Sequence, residues 1–564
     1  MLSAEEKLFI GAFQKKLLFE PDTYDLDSSL IHSFMLYGQQ VINNDYGNRK
    51  PIFYISNNLK KKCIYIFTHP NGDQELTKRA FDTIWDLRLF EGRNRQLDSY
   101  LLYLEKNRDP AEKFYQPKRK HFYRMGIIPA LQQMLDDELD ILTISLPPGT
   151  QKTTCEKFFL SGVIGWFPTV FNLFFSHSSD ITRMFYDGVL NIVTDEMEYT
   201  WKEIFPGLEP SQQNAKMQQF NVGKYKPFPS VQCTTAGSEN AGKVRCNGYL
   251  LVDDLIGKLE EALNKNTLDK LWGVYGVDAR QRKMDGCKEI HIATRWSVHD
   301  VIGRLQVIYE GNPRCKFIAF PDIDPETGKS NFDYDYNGFT VEFFHDQELA
   351  MDDISYRCLY KNDPIEREGL LYHEDDLRRF YSLPDEEPDA IVGVCDTKST
   401  GIDYMVLPVM YKYGDDYYMV DCICDDNTDF GVQKERLSSI IVDHNMQQCE
   451  FESNAGGDRL ASDVADLVSK MGGRCNITTK ATETNKETRI IVNSDWVKKN
   501  VLFKDKDSYS KKSDYGRFMD FLTTYTVAGR NKHDDVPDCM ANFALFVTQS
   551  LYKRKTRIMK SPIR

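Results

Sequence analysis

The sequence is short of several things that would have fixed its chemistry at a glance. Thirteen cysteines are spread over 564 residues and none stands in a C-x-x-C pair; the nearest couple is Cys422 and Cys424. A zinc module needs paired, regularly spaced ligands, so none is expected, and the thiols read as reduced structural residues of a cytosolic compartment. The opening stretch MLSAEEKLFIGAF turns acidic early and has no basic n-region, so no secretory leader is expected. There is no internal repeat and no long low-complexity tract. Basic residues are in deficit, 71 Lys and Arg against 84 Asp and Glu, for a net charge of −13. That argues against a protein that coats nucleic acid indiscriminately, while leaving room for a basic groove on one face. One run without charge, Phe158 to Ser179, is long enough to span a bilayer. Gly162, Gly165, Pro168 and Asn172 interrupt it, so a buried helix followed by a buried strand, VFNLFFSHSS, is expected there instead.

What is present points to a globular protein of several domains. Hydrophobic residues make up 41% and charged residues 27%, ample core material for about two to four domains. Residues 1–110 combine helical patterns (AEEKLFIGAFQKKLLF, LTKRAFDTIWDLRLFEG, LDSYLLYLEKN) with one expected strand, KKCIYIFTH, and hold no chemical constellation. They read as an accessory region, mostly helical. Residues 111–375 alternate apolar strands with helices, the mark of an α/β domain with a largely parallel sheet. A linker is expected over 376–389, where YSLPDEEPDA joins acidic charge to two prolines. From 390 to 564, strands with tight turns give way to strand–helix alternation.

The stretch ILTISLPPGTQKTTCEKFF is a strand, a Pro/Gly turn and a helix start, close to a phosphate-binding loop. The pattern G-x-x-x-x-G-K-[ST] asks for glycine where this chain has Leu146 and Gln151. Backbone N–H groups of Gly149, Thr150, Gln151, Lys152, Thr153 and Thr154 would form an anion cradle at the helix end. Lys152 would reach the β/γ-phosphates of ATP and the Thr153 hydroxyl would ligate Mg²⁺. A plain turn is the alternative for the loop alone. Further along, NGYLLVDDLIG is an apolar strand ending in two carboxylates; Asp253 suits the metal and Asp254 the attacking water, against an ordinary Asx turn. In EIHIATRWSVHDVIGRL, Thr294 and Arg295 stand at another strand tip, where polar groups can sense the γ-phosphate.

The C-terminal region carries a separate set of acids. AIVGVCDTKSTGIDYMVLPVMYKYGDDYYMVDCIC reads as three consecutive strands, with Asp396 on the first and Asp403 approaching the second. A helix, FGVQKERLSSIIVDHN, precedes the strand of QCEFESNAGG, which bears Glu452 near its end. NKHDDVPDCMANFALFVTQSL sets Asp534, Asp535 and Asp538 at the start of an apolar helix. Acids so placed converge on divalent metals that activate water and stabilise a leaving oxygen; solvated surface and helix capping are the ordinary alternatives.

Taken together these motifs resemble the large terminase subunit of tailed bacteriophages, across roughly residues 115 to 550. PPGTQKTT matches that family's P-P-x-x-G-K-[ST] loop except at Gln151, YLLVDD its second nucleotide motif, and ATRWSVHDVIGRL its T-R-W-x-x-x-D coupling motif. The resemblance implies a P-loop ATPase domain joined to a ribonuclease H-like endonuclease domain. It implies ATP and Mg²⁺ as cofactors, with Mn²⁺ possible at the nuclease centre. Carried over, Asp396, Glu452 and Asp535 are the first metal-site expectations, with Asp534 and Asp538 competing for the third place and Asp403 in reserve. Arg245 falls where a neighbouring subunit's arginine would complete the ATP site. The implied partners are double-stranded DNA, a capsid portal protein, a small terminase subunit and further copies of the chain in a ring, with no membrane and a location in the host-cell cytoplasm. DNA contact would come from WVKKNVLFKDKDSYSKK and the tail LYKRKTRIMKSPIR. The rival readings are a cellular repair or recombination ATPase–nuclease and a catalytically decayed structural subunit.

Overall fold

The computed structural model describes residues 2–18, 26–235, 244–257, 261–262, 265–351, 353–364, 370–397, 404–453, 457–481, 485–527, 531 and 533–555. Two compact units divide the chain. The first comprises Met1–Gly257, Asn266–Gln347 and Arg357–Pro364; the second comprises Lys258–Lys265, Glu348–Tyr356 and Ile365–Arg564.

The first unit opens with helices Ala4–Leu18, Ser28–Asn44, Arg49–Thr68 and Gln74–Arg93. Asp27 and Asp73 cap the second and fourth, each accepting from the backbone N–H three residues on. The strand expected at KKCIYIFTH is instead the last part of the Arg49–Thr68 helix. Its run of apolar residues looks strand-like locally. Over the longer window the buried positions Ile52, Ile55, Leu59, Cys63 and Ile66 recur every three or four residues, which is one face of a helix.

An eight-stranded sheet follows. Its strands are β1 (Ile141–Ser145), β2 (Asn172–Ser176), β3 (Pro210–Asn214), β4 (Gln219–Val222), β5 (Val231–Thr235), β6 (Tyr249–Asp253), β7 (Lys288–Ile292) and β8 (Cys315–Ala319), in the order β3-β4-β5-β2-β6-β7-β1-β8. From β5 to β8 every neighbouring pair is parallel, while β3 and β4 add an antiparallel edge. The parallel strands therefore end along one edge, where ligands of open α/β sheets gather. The uncharged run becomes helix Lys152–Trp166 plus strand β2, as its interruptions imply. Among the described residues no helix is long and apolar enough to cross a membrane.

The second unit is built on a seven-stranded sheet, ordered β14-β13-β10-β11-β12-β15-β9. Here β9 is Arg378–Phe380, inside the stretch expected as linker. The others are β10 (Ala390–Cys395), β11 (Met405–Tyr413), β12 (Asp416–Asp425), β13 (Gln448–Glu452), β14 (Asn476–Lys480) and β15 (Val501–Lys504). β10, β11 and β12 form an antiparallel meander, β13 and β14 continue in parallel on the far side of β10, and β11 alone runs against the rest. A meander extended in parallel from its first strand is the ribonuclease H-like arrangement. Alternation along β10 supplies both faces of the sheet. Ile391 and Cys395 pack with Leu437, Ile441, Leu460 and Val464 of helices Phe430–Asp443 and Gly457–Lys470. Val392 and Val394 join the core containing Ile490, Val497, Phe518, Met540 and Phe543, from helices Lys486–Asn500, Asp514–Thr524 and Asp535–Lys555.

Candidate nucleotide and metal sites

The loop after β1 turns on two left-handed residues. Gly149 has φ +77°, a conformation that favours glycine, and a Cβ there would lie a tight 3.2 Å from the Phe339 ring. Gln151 has φ 66° and ψ 32° and sits immediately before helix Lys152–Trp166. An L-residue there bears about 1–2 kcal/mol of backbone strain that glycine would not. The motif marks Gln151 as a missing glycine, and in the structure the cost lies in its backbone. Leu146, the other missing glycine, is buried and avoids positive φ. Thr150 Oγ1 donates to the Pro147 carbonyl at 2.7 Å, closing the turn. Thr154 and Gln151 border a cavity of about 670 Å³ that is also lined by Arg108, Phe114, Lys118 and Tyr199, room enough for a nucleoside. Burial pushes the Lys118 ammonium down to about 8.

The acids of β6 meet this loop. Thr153 Oγ1 donates to Asp253 Oδ2 at 2.6 Å across 100 residues of sequence. Lys152 Nζ stands 3.6 Å from Asp254 Oδ2, with only 9% of the lysine side chain exposed. Asp253 Oδ1 is buried with no hydrogen-bond partner among the described residues. Burial, then the charge of Asp254, pushes the Asp253 carboxyl up to about 7. A cation against that oxygen would relieve both penalties, so the pair Thr153–Asp253 fits a phosphate-bound Mg²⁺.

β7 lies between β1 and β6, which sets its tip beside both. The Thr294 N–H donates to Asp254 Oδ1 at 3.2 Å. Arg295 is buried and turned inward, its Nε 3.1 Å from Asp300 Oδ2 and its Nη1 donating to Gln306 at 2.8 Å. Asp300 in turn caps helix Val301–Ile308 through the Gly303 N–H at 2.7 Å. Thr294 and Arg295 are thus joined to Asp254 at one end and to a helix at the other. Arg245 is exposed and donates to the Gln281 carbonyl at 2.9 Å. Sequence reasoning missed Glu156, one turn beyond Thr153. It is buried with neither oxygen hydrogen-bonded among the described residues, and its carboxyl is driven far up by burial, then by Asp253 and Asp254.

In the second unit, Asp396, Glu452 and Asp538 each bring one carboxylate oxygen within 4.8 Å of the others. Asp396 follows β10 and is held by paired backbone bonds with Val406, 2.9 and 3.1 Å. Glu452 ends β13, the parallel neighbour of β10. Gly457 lets the next helix start tight against it, since a Cβ there would fall 1.8 Å from the Glu452 carbonyl oxygen. Asp396 Oδ2 is buried and lacks a hydrogen-bond partner among the described residues. Burial, then Asp538 and Glu452, raise its carboxyl far above the ordinary range. Burial pushes Asp538 up to about 6 against the opposing pull of Arg489 and Lys486. An orphaned buried oxygen among mutually repelling acids fits a divalent cation.

The third member is Asp538, where the resemblance put Asp535 first. Asp535 accepts the Tyr404 N–H through Oδ2 at 2.9 Å and has Lys486 3.4 Å from its Oδ1. Asp534 is paired with Lys486 at 2.7 Å. Asp403 lies outside the described residues. Lys486 and Arg489, both at this centre, carried no signal in the sequence beyond their position at a helix start.

No family model matches the chain, and no curated protein matches it. Solved structures do. The large terminase from the thermophilic bacteriophage D6E in complex with ADP is 12% identical, with 77% of this chain and 100% of that one covered at a TM-score of 0.35. The HK97 bacteriophage large terminase is 9% identical over 72% of this chain and 90% of that one, TM-score 0.33. The human cytomegalovirus terminase nuclease domain, Mn soaked and inhibitor bound, is 9% identical over 31% of this chain and 94% of that one, TM-score 0.25. Similarity at this level transfers no residue role.

Proposed function

We propose that this chain is the ATP-driven subunit of a viral DNA-packaging motor, moving double-stranded DNA into a procapsid and cutting concatemeric DNA with a metal-dependent endonuclease. The observation that carries the reading is convergence. Residues of distant motifs meet where strand tips face helix starts in two separate units, Thr153 with Asp253 at 2.6 Å and Asp396 with Glu452 and Asp538 within 4.8 Å.

At the first site the loop amides and Lys152 hold the β- and γ-phosphates, Thr153 and Asp253 hold Mg²⁺, and the cavity beside Thr154 takes the nucleoside. Asp254 orients the attacking water. Its bond to the Thr294 N–H transmits γ-phosphate loss to β7, and the Arg295–Asp300 pair carries it into helix Val301–Ile308. Arg245 reaches the neighbouring subunit's site in a ring. At the second site Asp396, Glu452 and Asp538 hold Mg²⁺ or Mn²⁺, which when bound lowers the pKa of water and neutralises the leaving oxygen of a phosphodiester. Asp534 and Asp535 stand behind them. The basic segments around Lys498 to Lys512 take the DNA backbone, and a portal protein and a small terminase subunit complete the machine in the host-cell cytoplasm.

A cellular repair or recombination ATPase–nuclease would use the same two sites. Adding portal-bearing procapsids to the full-length protein with linear DNA separates the two: ATP turnover is expected to rise with procapsid concentration. Turnover that responds to DNA alone would favour the cellular reading. A decayed structural subunit would hydrolyse nothing in either mixture.

A further inference from the structure

Helix Lys486–Asn500 meets the acid cluster with two cations, one turn apart and attached in different ways. Arg489 is buried, 4% of its side chain exposed, and forks onto a single carboxylate: Nε donates to Asp538 Oδ1 and Nη2 to Oδ2, both at 2.8 Å. A planar fork matched to one buried acid is a fixed support. Lys486 is shared. Its Nζ lies 2.7 Å from Asp534 Oδ1, 3.4 Å from Asp535 Oδ1 and 3.7 Å from Asp538 Oδ2, and 37% of the side chain is exposed. A strongly hydrated ammonium on a flexible four-carbon stem can leave such a site for water, which a buried guanidinium cannot do. Three carboxylate oxygens within 4.8 Å of one another repel strongly unless a cation stands among them.

We propose that Lys486 is the displaceable internal counter-ion of this centre. Its ammonium balances Asp534, Asp535 and Asp538 while no divalent ion is present and withdraws as the ion enters. Lys486 therefore sets the ion concentration at which the site fills. Arg489 stays in place and keeps Asp538 aimed. The inference rests on the nuclease reading above.

The test uses the full-length, nucleotide-free protein. Mn²⁺ binding is followed by the electron paramagnetic resonance of the free ion, and thermal unfolding is recorded in chelator and in Mn²⁺. Lys486→Met should half-saturate at an Mn²⁺ concentration at least about tenfold below wild type, because the competing charge is gone. It should also unfold at a lower temperature in chelator and recover in Mn²⁺. Lys486→Arg, which keeps the charge, should stay close to wild type in chelator. Half-saturation of Lys486→Met at or above the wild-type concentration would overturn the proposal. If Lys486→Met folds only with metal, back-titration with chelator reads the same tenfold difference. Asp396→Asn separates the two readings. Should it bind Mn²⁺ as wild type does, the metal centre is misassigned. Should it lose binding while Lys486→Met matches wild type, only the counter-ion role falls.

Discussion

Gln151 is the residue at which sequence and geometry disagree most productively. The motif asks for glycine, and the backbone at φ 66° asks for it too. Gln151→Gly should therefore relieve strain worth about 1 kcal/mol and hold or tighten nucleotide binding, read as a thermal shift with ADP and as a dissociation constant. Loss of binding would mean that the loop does not cradle phosphate. Other residue-level features were harder to see in advance. Asp534, Asp535 and Asp538 share one helix start, and spacing alone cannot tell which faces Asp396. Tertiary contacts such as the Tyr404 N–H bond to Asp535, between residues 131 apart, are not written in that spacing. Lys486 and Arg489 lie on a helix whose sequence carries no motif, and Glu156 falls just past the phosphate-loop pattern, so only folding reveals where they point.

At the scale of elements, apolar runs ending in acids were legible because a buried parallel strand has few other ways to be written. The strand misread at Lys61 to His69 shows the limit, since a short apolar run fits either element until its longer period is counted. The turn joining β4 to β5 illustrates a second device invisible in sequence. Lys226, 8% exposed, reaches the carbonyls of Pro168 at 2.6 Å and Val170 at 3.2 Å, and also bonds Ser230 Oγ. It pins that hairpin to the chain entering β2. Burial lowers its ammonium to about 8 from an ordinary 10.5. Below about pH 8 both folded and unfolded states hold the proton. Between about 8 and 10.5 the folded state releases it first, so the unfolded state binds more protons and stability rises with pH through that window. In urea unfolding, the stability gap between wild type and Lys226→Met should widen from pH 7 to pH 10. A gap that stays constant would remove the buried charge as its cause.

At the scale of the whole molecule, the proposed function puts one chemistry in each unit, with Arg245 serving a neighbouring copy. The phosphate loop, Asp253 and Thr294 belong to the first unit, and Asp396, Glu452 and Asp538 to the second. In the sequence the loop and Asp253 stand before residue 375 and the acids from Asp396 onward after residue 390. What the sequence conveys poorly is the supporting charge, such as the Lys486 and Arg489 pair, since pairing partners are chosen by tertiary contact. The most direct test measures ATP hydrolysis and Mn²⁺-dependent DNA cutting on the same full-length preparations of wild type, Lys152→Ala and Asp396→Asn. The expected result is crossed: Lys152→Ala loses hydrolysis and still nicks DNA, while Asp396→Asn loses nicking and still hydrolyses ATP. A single substitution that abolished both activities in a folded protein, or left both intact, would contradict the account.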